Sequence, residues 1–232
     1  MKIYTTKFYF YGSKQPVPSE ISHISSFLHN HVLGKDNNYH DAVSLYSVSP
    51  LLGGKLTSKS ELSCETGAIL LIRTPVIDVF KDFYLKGKNA VTKEFSKGLI
   101  LKDVEYSIKQ FGDIPGTITT GTSPIYLGQN ADSLKREHVT YKHGNEMASK
   151  YLKRIFLWKT QKLGYNFSES DFNIEFDLNS PIKERAIPYK GSLNITTSGK
   201  IKITGTADVK SLFYGLGVGK STGCGFGFIF NL

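Results

Sequence analysis

The order of strand-like and helix-like stretches is the feature that most constrains how this chain can fold. Segments rich in β-branched and aromatic residues predict strands, and segments whose apolar residues recur every three or four positions predict helices. In the first half, these predictions are a strand over 2–12, a helix over 19–34, strands over 42–49 and 65–74, a helix over 75–88 and a strand over 99–111. The predicted order is strand, helix, strand, strand, helix, strand.

The second half repeats this order. Its predicted elements are a strand over 116–128, a long helix over 145–164, a strand over 172–178, a hairpin turning at Ser198-Gly199, a short helix over 208–217 and a terminal strand over 223–232. Two consecutive βαββαβ units predict an α+β protein with antiparallel sheets, built from tandem ferredoxin-like (RRM-like) domains. We expect the domains to span residues 1–115 and 116–232.

The charge of the chain favours a polyanionic partner. The 29 Lys and Arg residues outnumber the 20 Asp and Glu residues, which gives a formal net charge of +9. Nucleic acid is therefore the first partner to consider, and an anionic membrane surface is the second. No apolar stretch is long enough to predict a membrane span, and the two cysteines fit no zinc-site spacing. We expect a cytoplasmic protein that uses no metal.

The chain ends with the glycine-rich stretch GLGVGKSTGCGFG, in which VGKST resembles part of a nucleotide-binding loop. A phosphate-binding P-loop requires four residues between its first glycine and the Gly-Lys-Ser/Thr triplet, and only three separate Gly215 from Gly219. The segment also follows a predicted helix and leads into a predicted strand, which is the reverse of the P-loop order. The glycines could form turns alone, or they could let backbone amides approach the phosphates of a nucleic acid. Candidates for such binding are Gly217, Gly219, Lys220, Ser221 and Gly223.

The spacing of the glycines resembles the terminal signature of the CRISPR repeat-processing endoribonucleases of the RAMP superfamily. The signature corresponds here to Gly215-Leu216-Gly217, the five residues VGKST, and Gly223-Cys224-Gly225-Phe226-Gly227. The stretches SVSPLLGG, GTSPIYL and ITGTADVKSLFYGLGVG add weaker similarity. The resemblance implies cleavage of CRISPR precursor RNA within its repeats, without metal or other cofactor. The 2′-hydroxyl would attack the adjacent phosphate, leaving a 2′,3′-cyclic phosphate and a 5′-hydroxyl.

The same resemblance leaves a second function open, that of a non-catalytic crRNA-binding RAMP subunit in a CRISPR effector complex. In either function the expected ligand is CRISPR repeat RNA. Association with effector-complex subunits or with a second copy of the chain also stays open.

Histidine can exchange a proton near neutral pH, and the sequence contains six. The resemblance implies a general acid/base histidine in the loop after the first helix, where His40 stands. It also implies a second catalytic residue on that helix. His29 and His31 are two residues apart and cannot face the same partner, and the resemblance favours His29. Candidates for stabilising the charged phosphorane are Lys35 and Lys55, and neither matches the family pattern cleanly.

Further phosphate contacts are expected from basic residues of the second half. The long helix is expected to place Met147, Tyr151, Ile155 and Trp158 on one side. The candidate phosphate-binding residues are Lys150, Lys153 and Arg154 on this helix, and Lys183 and Arg185 after it. A charged face exposed to water is the alternative interpretation of these residues.

Overall fold

The structure is a computed structural model that describes residues 1–19, 21–34, 37, 39, 43–58, 60–112, 115–129, 138–189 and 191–231. The strands are β1 Lys2–Phe10, β2 Val17–Pro18, β3 Ser47–Val48, β4 Lys55–Leu56, β5 Glu61–Ser63, β6 Ala68–Thr74, β7 Glu94–Ser96, β8 Leu99–Gln110, β9 Ile118–Gly121, β10 Phe172–Phe176, β11 Lys183–Tyr189, β12 Ser192–Ser198 and β13 Lys200–Gly205. The helices are α1 Ile21–Phe27, α2 Ile77–Asn89, α3 Asn145–Gln161 and α4 Ala207–Leu216.

The first sheet has the strand order β3-β6-β1-β8-β7, and all its neighbouring strands are antiparallel. β1 lies at its centre, where the buried side chains of Ile3, Phe8 and Phe10 fill the core. A π-helical turn, Leu28–Val32, prolongs α1. The four main strands and α1 and α2 follow the ferredoxin-like order, as the sequence predicts. A small separate sheet, β2-β5-β4, is an addition that the sequence does not reveal.

The second sheet, β10-β13-β9, repeats this order around α3 and α4. The C-terminal segment takes the position of the fourth strand beside β9. Among its described residues, the pairing consists of a single bridge between Thr122 and Ile229 and of flanking backbone bonds such as Phe230 N to Gly121 O at 3.1 Å. The repeated βαββαβ order is therefore confirmed, although the predicted terminal strand is irregular.

The hairpin predicted at Ser198-Gly199 is wrong. β12 pairs with the preceding strand β11, from Lys183 opposite Ser198 to Tyr189 opposite Ser192, whereas β13 pairs with β10 and β9. The chain passes from one sheet to another at Gly199. The sequence conceals β11 because Pro188 and three charged residues interrupt its apolar pattern.

The core face of α3 also differs from the prediction. Its buried apolar residues are Ala148, Leu152, Ile155 and Phe156, whereas Met147 is 36% and Trp158 49% exposed. Lys159 continues this apolar stripe at i+7 from Leu152 and is buried. Of the predicted face only Ile155 is fully buried, so the observed core face of α3 is offset from the predicted one by about one residue.

Two clusters of buried apolar residues form the core, one in each half of the chain. The second cluster also includes Ile3 from β1 and Phe111 just after β8. α4 packs on β1 and β6, and its Gly215 lies against Ile3 and Pro75. The two sheets are thus joined by shared apolar packing. Within the described residues, no helix is long and apolar enough to cross a membrane.

Candidate nucleic-acid interface

The glycine-rich segment, residues 215–227, folds back on itself after α4. Val218 N donates to Gly227 O at 2.8 Å, and a Cβ at Gly227 would lie only 1.7 Å from Val218 O. A Cβ at Gly223 would lie 2.7 Å from the Tyr46 ring. Glycine is therefore required at both positions by close packing of the chain.

The five candidate positions of this segment differ in accessibility. Gly217, Gly219 and Gly223 are buried, Ser221 is half-buried and Lys220 is exposed. The Lys220 backbone N–H donates to Tyr126 O at 2.7 Å, and its side chain runs along Gly128. Lys220 and Ser221 are consequently the groups of the segment best placed to meet a ligand, while the glycines shape the turn that presents them.

A chain of polar contacts joins the glycine-rich segment to α1. The Tyr189 hydroxyl donates to Cys224 Sγ at 2.9 Å and lies 3.2 Å from Ser25 Oγ on α1. Ile21, at the start of α1, lies beside Gly225. The first helix of one half and the glycine-rich segment of the other therefore form one continuous surface.

His29 lies on the π-helical turn that prolongs α1 and is half-buried. Asn37 Nδ2 is 3.0 Å from His29 Nδ1. Because an amide nitrogen only donates, His29 Nδ1 is the acceptor in this contact. His31 is exposed, and its ring centroid lies 5.6 Å from that of Phe27. The structure thus separates the two histidines, as their spacing predicts.

His40 and Lys35 lie outside the described residues. Tyr39, which precedes His40, is described, and its hydroxyl donates to Asp82 Oδ2 on α2 at 2.6 Å. Burial, and then the Asp82 carboxylate, raise the pKa of Tyr39. Lys55 lies exposed on β4 in the small sheet.

Lys183 and Arg185 are exposed on β11, and their side chains share one face of the strand with Tyr189. Tyr189 is the residue that contacts Cys224 and Ser25. The opposite face carries Glu184, which pairs with Lys142 at 3.1 Å. Lys183 and Arg185 therefore lie on the same side of their hairpin as the joined surface of α1 and the glycine-rich segment.

The three basic candidates on α3 occupy a different environment. Lys150 and Lys153 line a groove of about 450 Å³ together with three carboxylates, those of Glu146, Glu169 and Glu175. Arg154 is exposed, 6.0 Å from the Tyr151 ring. The carboxylates offset the lysine charge, so this groove is less suited to phosphate than the surface that carries Lys183, Arg185 and Lys220.

Lys159 is a site residue that the sequence interpretation missed. Its Nζ donates to Thr222 Oγ1 at 2.8 Å and to Leu216 O at 3.2 Å, and the Thr222 hydroxyl donates to Tyr46 O at 2.9 Å. Burial lowers the pKa of Lys159 to about 7. Lys159 on α3 thus holds the glycine-rich segment through hydrogen bonds to Leu216 and Thr222. The sequence does contain a signal for it, because Lys159 lies on the apolar stripe of an amphipathic helix, where a lysine is unusual.

No grouping of three or more His, Cys, Asp or Glu side chains suited to holding a metal ion occurs in the described part of the chain. The exposed basic groups of Lys183, Arg185 and Lys220 are hydrogen-bond donors, which suits an anionic ligand.

Two consecutive ferredoxin-like units, the second of which ends in a glycine-rich segment, define the class of fold. Residues 111–230, just over half of the chain, match the family model described as CRISPR associated protein Cas6, C-terminal. The chain therefore belongs to the Cas6 family, which is known for CRISPR RNA processing.

Solved structures show the same fold along the whole chain. One titled CRISPR associated protein Cas6 is 17% identical with a TM-score of 0.76, and the match covers 100% of both chains. Another, titled An RAMP protein binding different RNA substrates, is 16% identical with a TM-score of 0.77 and covers 99% of this chain and 98% of its own. A Cas6-related protein from Pyrococcus furiosus is 16% identical, has a TM-score of 0.71 and covers 100% and 98%. No curated protein matches the sequence.

Proposed function

We propose that the protein is a metal-independent endoribonuclease that cleaves CRISPR precursor RNA within its repeats. The observation that carries this proposal is the chain of contacts from Ser25 through Tyr189 to Cys224, which links α1, the helix that the turn bearing His29 prolongs, to the glycine-rich segment. His29 follows that helix, and the candidate phosphate-binding side chains of Lys220, Lys183 and Arg185 are exposed to a ligand. Similarity to the solved structure titled An RAMP protein binding different RNA substrates supports RNA as the ligand.

The proposed reaction needs two proton transfers. One group removes the proton of the 2′-hydroxyl, whose oxygen attacks the adjacent phosphorus, and another protonates the departing 5′ oxygen. The products are a 2′,3′-cyclic phosphate and a 5′-hydroxyl. We assign these transfers to His40 and His29. A group that stabilises the phosphorane is left unassigned, because Lys55 lies on the small sheet and Lys35 is not described.

We propose that the two units divide at residues 115 and 116. The first sheet ends at Gln110, the second begins at Ile118, and each half has its own cluster of buried apolar residues. On this division the first unit carries the two histidines and the second carries the glycine-rich segment.

Cleavage of a repeat RNA in EDTA tests the proposed function. We expect the wild type to cut once per repeat, and the His40→Ala and His29→Ala variants to be slower by about 10²-fold or more with similar RNA affinity. His31→Ala is the matched control because His31 is exposed on the same helical turn, and it should retain full activity. A 2′-deoxy substitution 5′ of the cleaved phosphate should abolish cutting and preserve binding.

The same assay distinguishes the proposed nuclease from the alternative function. Tight binding of repeat RNA without cleavage by the wild type would identify a non-catalytic crRNA-binding RAMP subunit of an effector complex. Unimpaired cutting by the His40→Ala variant would refute the assignment of His40 while leaving the nuclease activity intact.

A further inference from the structure

The side chain of Asn37 joins three parts of the chain around His29. Its Nδ2 lies 3.0 Å from His29 Nδ1 and also donates to Gly34 O, while its Oδ1 accepts the Tyr39 N–H at 3.0 Å. Asn37 and Tyr39 are both half-buried. One amide group therefore links the π-helical turn that bears His29 to the backbone of the residue that precedes His40 in the sequence.

These contacts fix the direction in which the Asn37 amide points. An amide nitrogen can only donate and an amide oxygen can only accept. Rotating the amide by half a turn would place Nδ2 against the Tyr39 N–H, donor against donor, and Oδ1 against Gly34 O, acceptor against acceptor. Nδ2 is therefore the atom that faces His29.

The Tyr39 N–H that Asn37 binds belongs to an anchored residue. The Tyr39 hydroxyl donates to Asp82 Oδ2 on α2 at 2.6 Å, and the Tyr39 ring is stacked with that of Phe83 at 5.9 Å between centroids. Hydrogen bonds thus run from α2 through Tyr39 and Asn37 to the imidazole of His29. Support of this kind holds a side chain in one geometry.

A donor at Nδ1 has a specific consequence for a histidine. The hydrogen bond that one ring nitrogen makes sets which nitrogen holds the proton of the neutral ring. A donor at His29 Nδ1 favours the proton on Nε2, and it also fixes the orientation of the ring. The rate of a proton transfer depends steeply on such orientation.

We propose that Asn37 is a positioning residue for RNA cleavage, which holds the His29 ring in one orientation and in the tautomer protonated on Nε2. This inference rests on the proposed nuclease function. In this role Asn37 acts through His29, while its contact with Tyr39 holds the backbone one residue before His40.

An Asn37→Asp variant tests this role because it changes little besides one atom. The carboxylate keeps an oxygen for the Tyr39 N–H, but it presents an oxygen instead of Nδ2 to His29 and so draws a proton to Nδ1. We expect single-turnover cleavage at saturating RNA to slow by about ten-fold or more, with unchanged RNA affinity. Asn37→Ala should slow cleavage at least as much.

Asn30→Ala is the matched control. Asn30 is exposed on the same helical turn, and its amide donates to Ser26 Oγ at 2.8 Å. This variant should cleave at the wild-type rate. A general disturbance of the turn would slow both the Asn30 and the Asn37 variants.

The side-chain ¹⁵N spectrum of His29 gives a signature that a merely structural role would not produce. At about pH 8, above the ordinary histidine pKa, we expect an unprotonated Nδ1 in the wild type and a protonated Nδ1 in Asn37→Asp. The spectrum of His29→Ala identifies the His29 signals. The measurement needs no RNA.

A double variant separates action through His29 from action elsewhere. In the His29→Ala background, Asn37→Asp should slow cleavage no further, because both residues act through the same ring. Additive slowing, an unchanged His29 spectrum in Asn37→Asp, or wild-type speed of Asn37→Asp beside a slow His29→Ala would overturn the role of Asn37 alone. Full-speed cleavage by His29→Ala, or no cleavage by the wild type, would overturn this role together with the part of the proposed function that supports it.

Discussion

Arg73 and Lys159 are two buried cations that hold the same C-terminal part of the chain from opposite halves. Arg73, 5% exposed on β6, donates to the carbonyls of Ile229 and Phe230. Lys159, 2% exposed on α3, donates to Leu216 O and Thr222 Oγ1. Within the described residues neither cation has a carboxylate partner. Both cations are therefore buried without a neutralising carboxylate in that part of the chain.

The difference lies in how each charge is stabilised. The Arg73 guanidinium lies between the Tyr214 ring, at 3.8 Å, and the Phe228 ring, at 4.3 Å. A flat, weakly hydrated cation stacks well on aromatic faces, whereas the ammonium of Lys159 is strongly hydrated in water and loses more on burial. Burial lowers the pKa of Arg73 to about 10 and that of Lys159 to about 7. Arg73 thus stays charged at neutral pH, while Lys159 titrates there.

Replacement of Arg73 should produce the largest effect. We expect Arg73→Met to lower the free energy of unfolding by about 3 kcal/mol, because two backbone carbonyls lose a charged donor and two rings lose a cation–π contact. Lys159→Met should change stability by only about 1 kcal/mol at pH 7, since its lost hydrogen bonds are offset by removal of a costly buried charge. Urea unfolding of both variants measures the difference. Equal losses would show that the aromatic faces do not distinguish the two cations.

The pH dependence of the free energy of unfolding should reveal the titration of Lys159. Its pKa is lowered on folding, so between about pH 7 and 10.5 the unfolded chain binds one more proton than the folded chain, and stability rises with pH. The expected slope is at most about 1.4 kcal/mol per pH unit. Below pH 7 Lys159 is protonated in both the folded and the unfolded chain. The stability gained at higher pH is then lost, and Lys159 causes no further change of stability with pH.

Wild type and Lys159→Met should be compared between pH 7.5 and 9.5. This window avoids Tyr39 and Tyr46, whose raised pKa values make stability fall only above about pH 10. We expect the wild type to gain about 2 kcal/mol relative to the variant across the window. Parallel pH profiles would refute the titration of Lys159.

Replacement of Thr222 should change stability by about as much as Lys159→Met does at pH 7. Thr222→Val preserves the shape but removes the hydroxyl that links Lys159 to Tyr46 O, so we expect a loss of about 1 kcal/mol at pH 7. Thr222→Ser retains the hydroxyl and should remain close to wild type in urea unfolding. If both variants lost the same stability, the methyl packing of Thr222 would matter more than its hydrogen bonds.

The sequence predicted most of the fold because its elements carry strong local patterns. β1 and β6 are rich in β-branched and aromatic residues, and both were predicted from composition alone. β11 was missed and β12 was assigned to the wrong partner, because strand pairing depends on contacts distant in sequence. The irregular C-terminal segment shows the same limit, since its residues are strand-like but its pairing is set by packing around Arg73.

The candidate site was only partly predictable. The resemblance indicated His29 and Lys220 as site residues. In the structure, α1, which leads into the turn bearing His29, lies beside the glycine-rich segment that contains Lys220. Lys159 and Tyr189 carried no motif, and their importance follows from contacts with Thr222 and Cys224. Lys150 and Lys153 matched a basic pattern, but neighbouring carboxylates that fold beside them alter the charge of their groove.

The sequence by itself determined the repeated βαββαβ order, the basic charge and the glycine spacing, because local propensity and composition depend only on neighbouring residues. Only the tertiary structure decided which glycines are buried and which cations are desolvated. Burial and electrostatic environment arise from residues far apart along the chain, and folding alone brings those residues into contact.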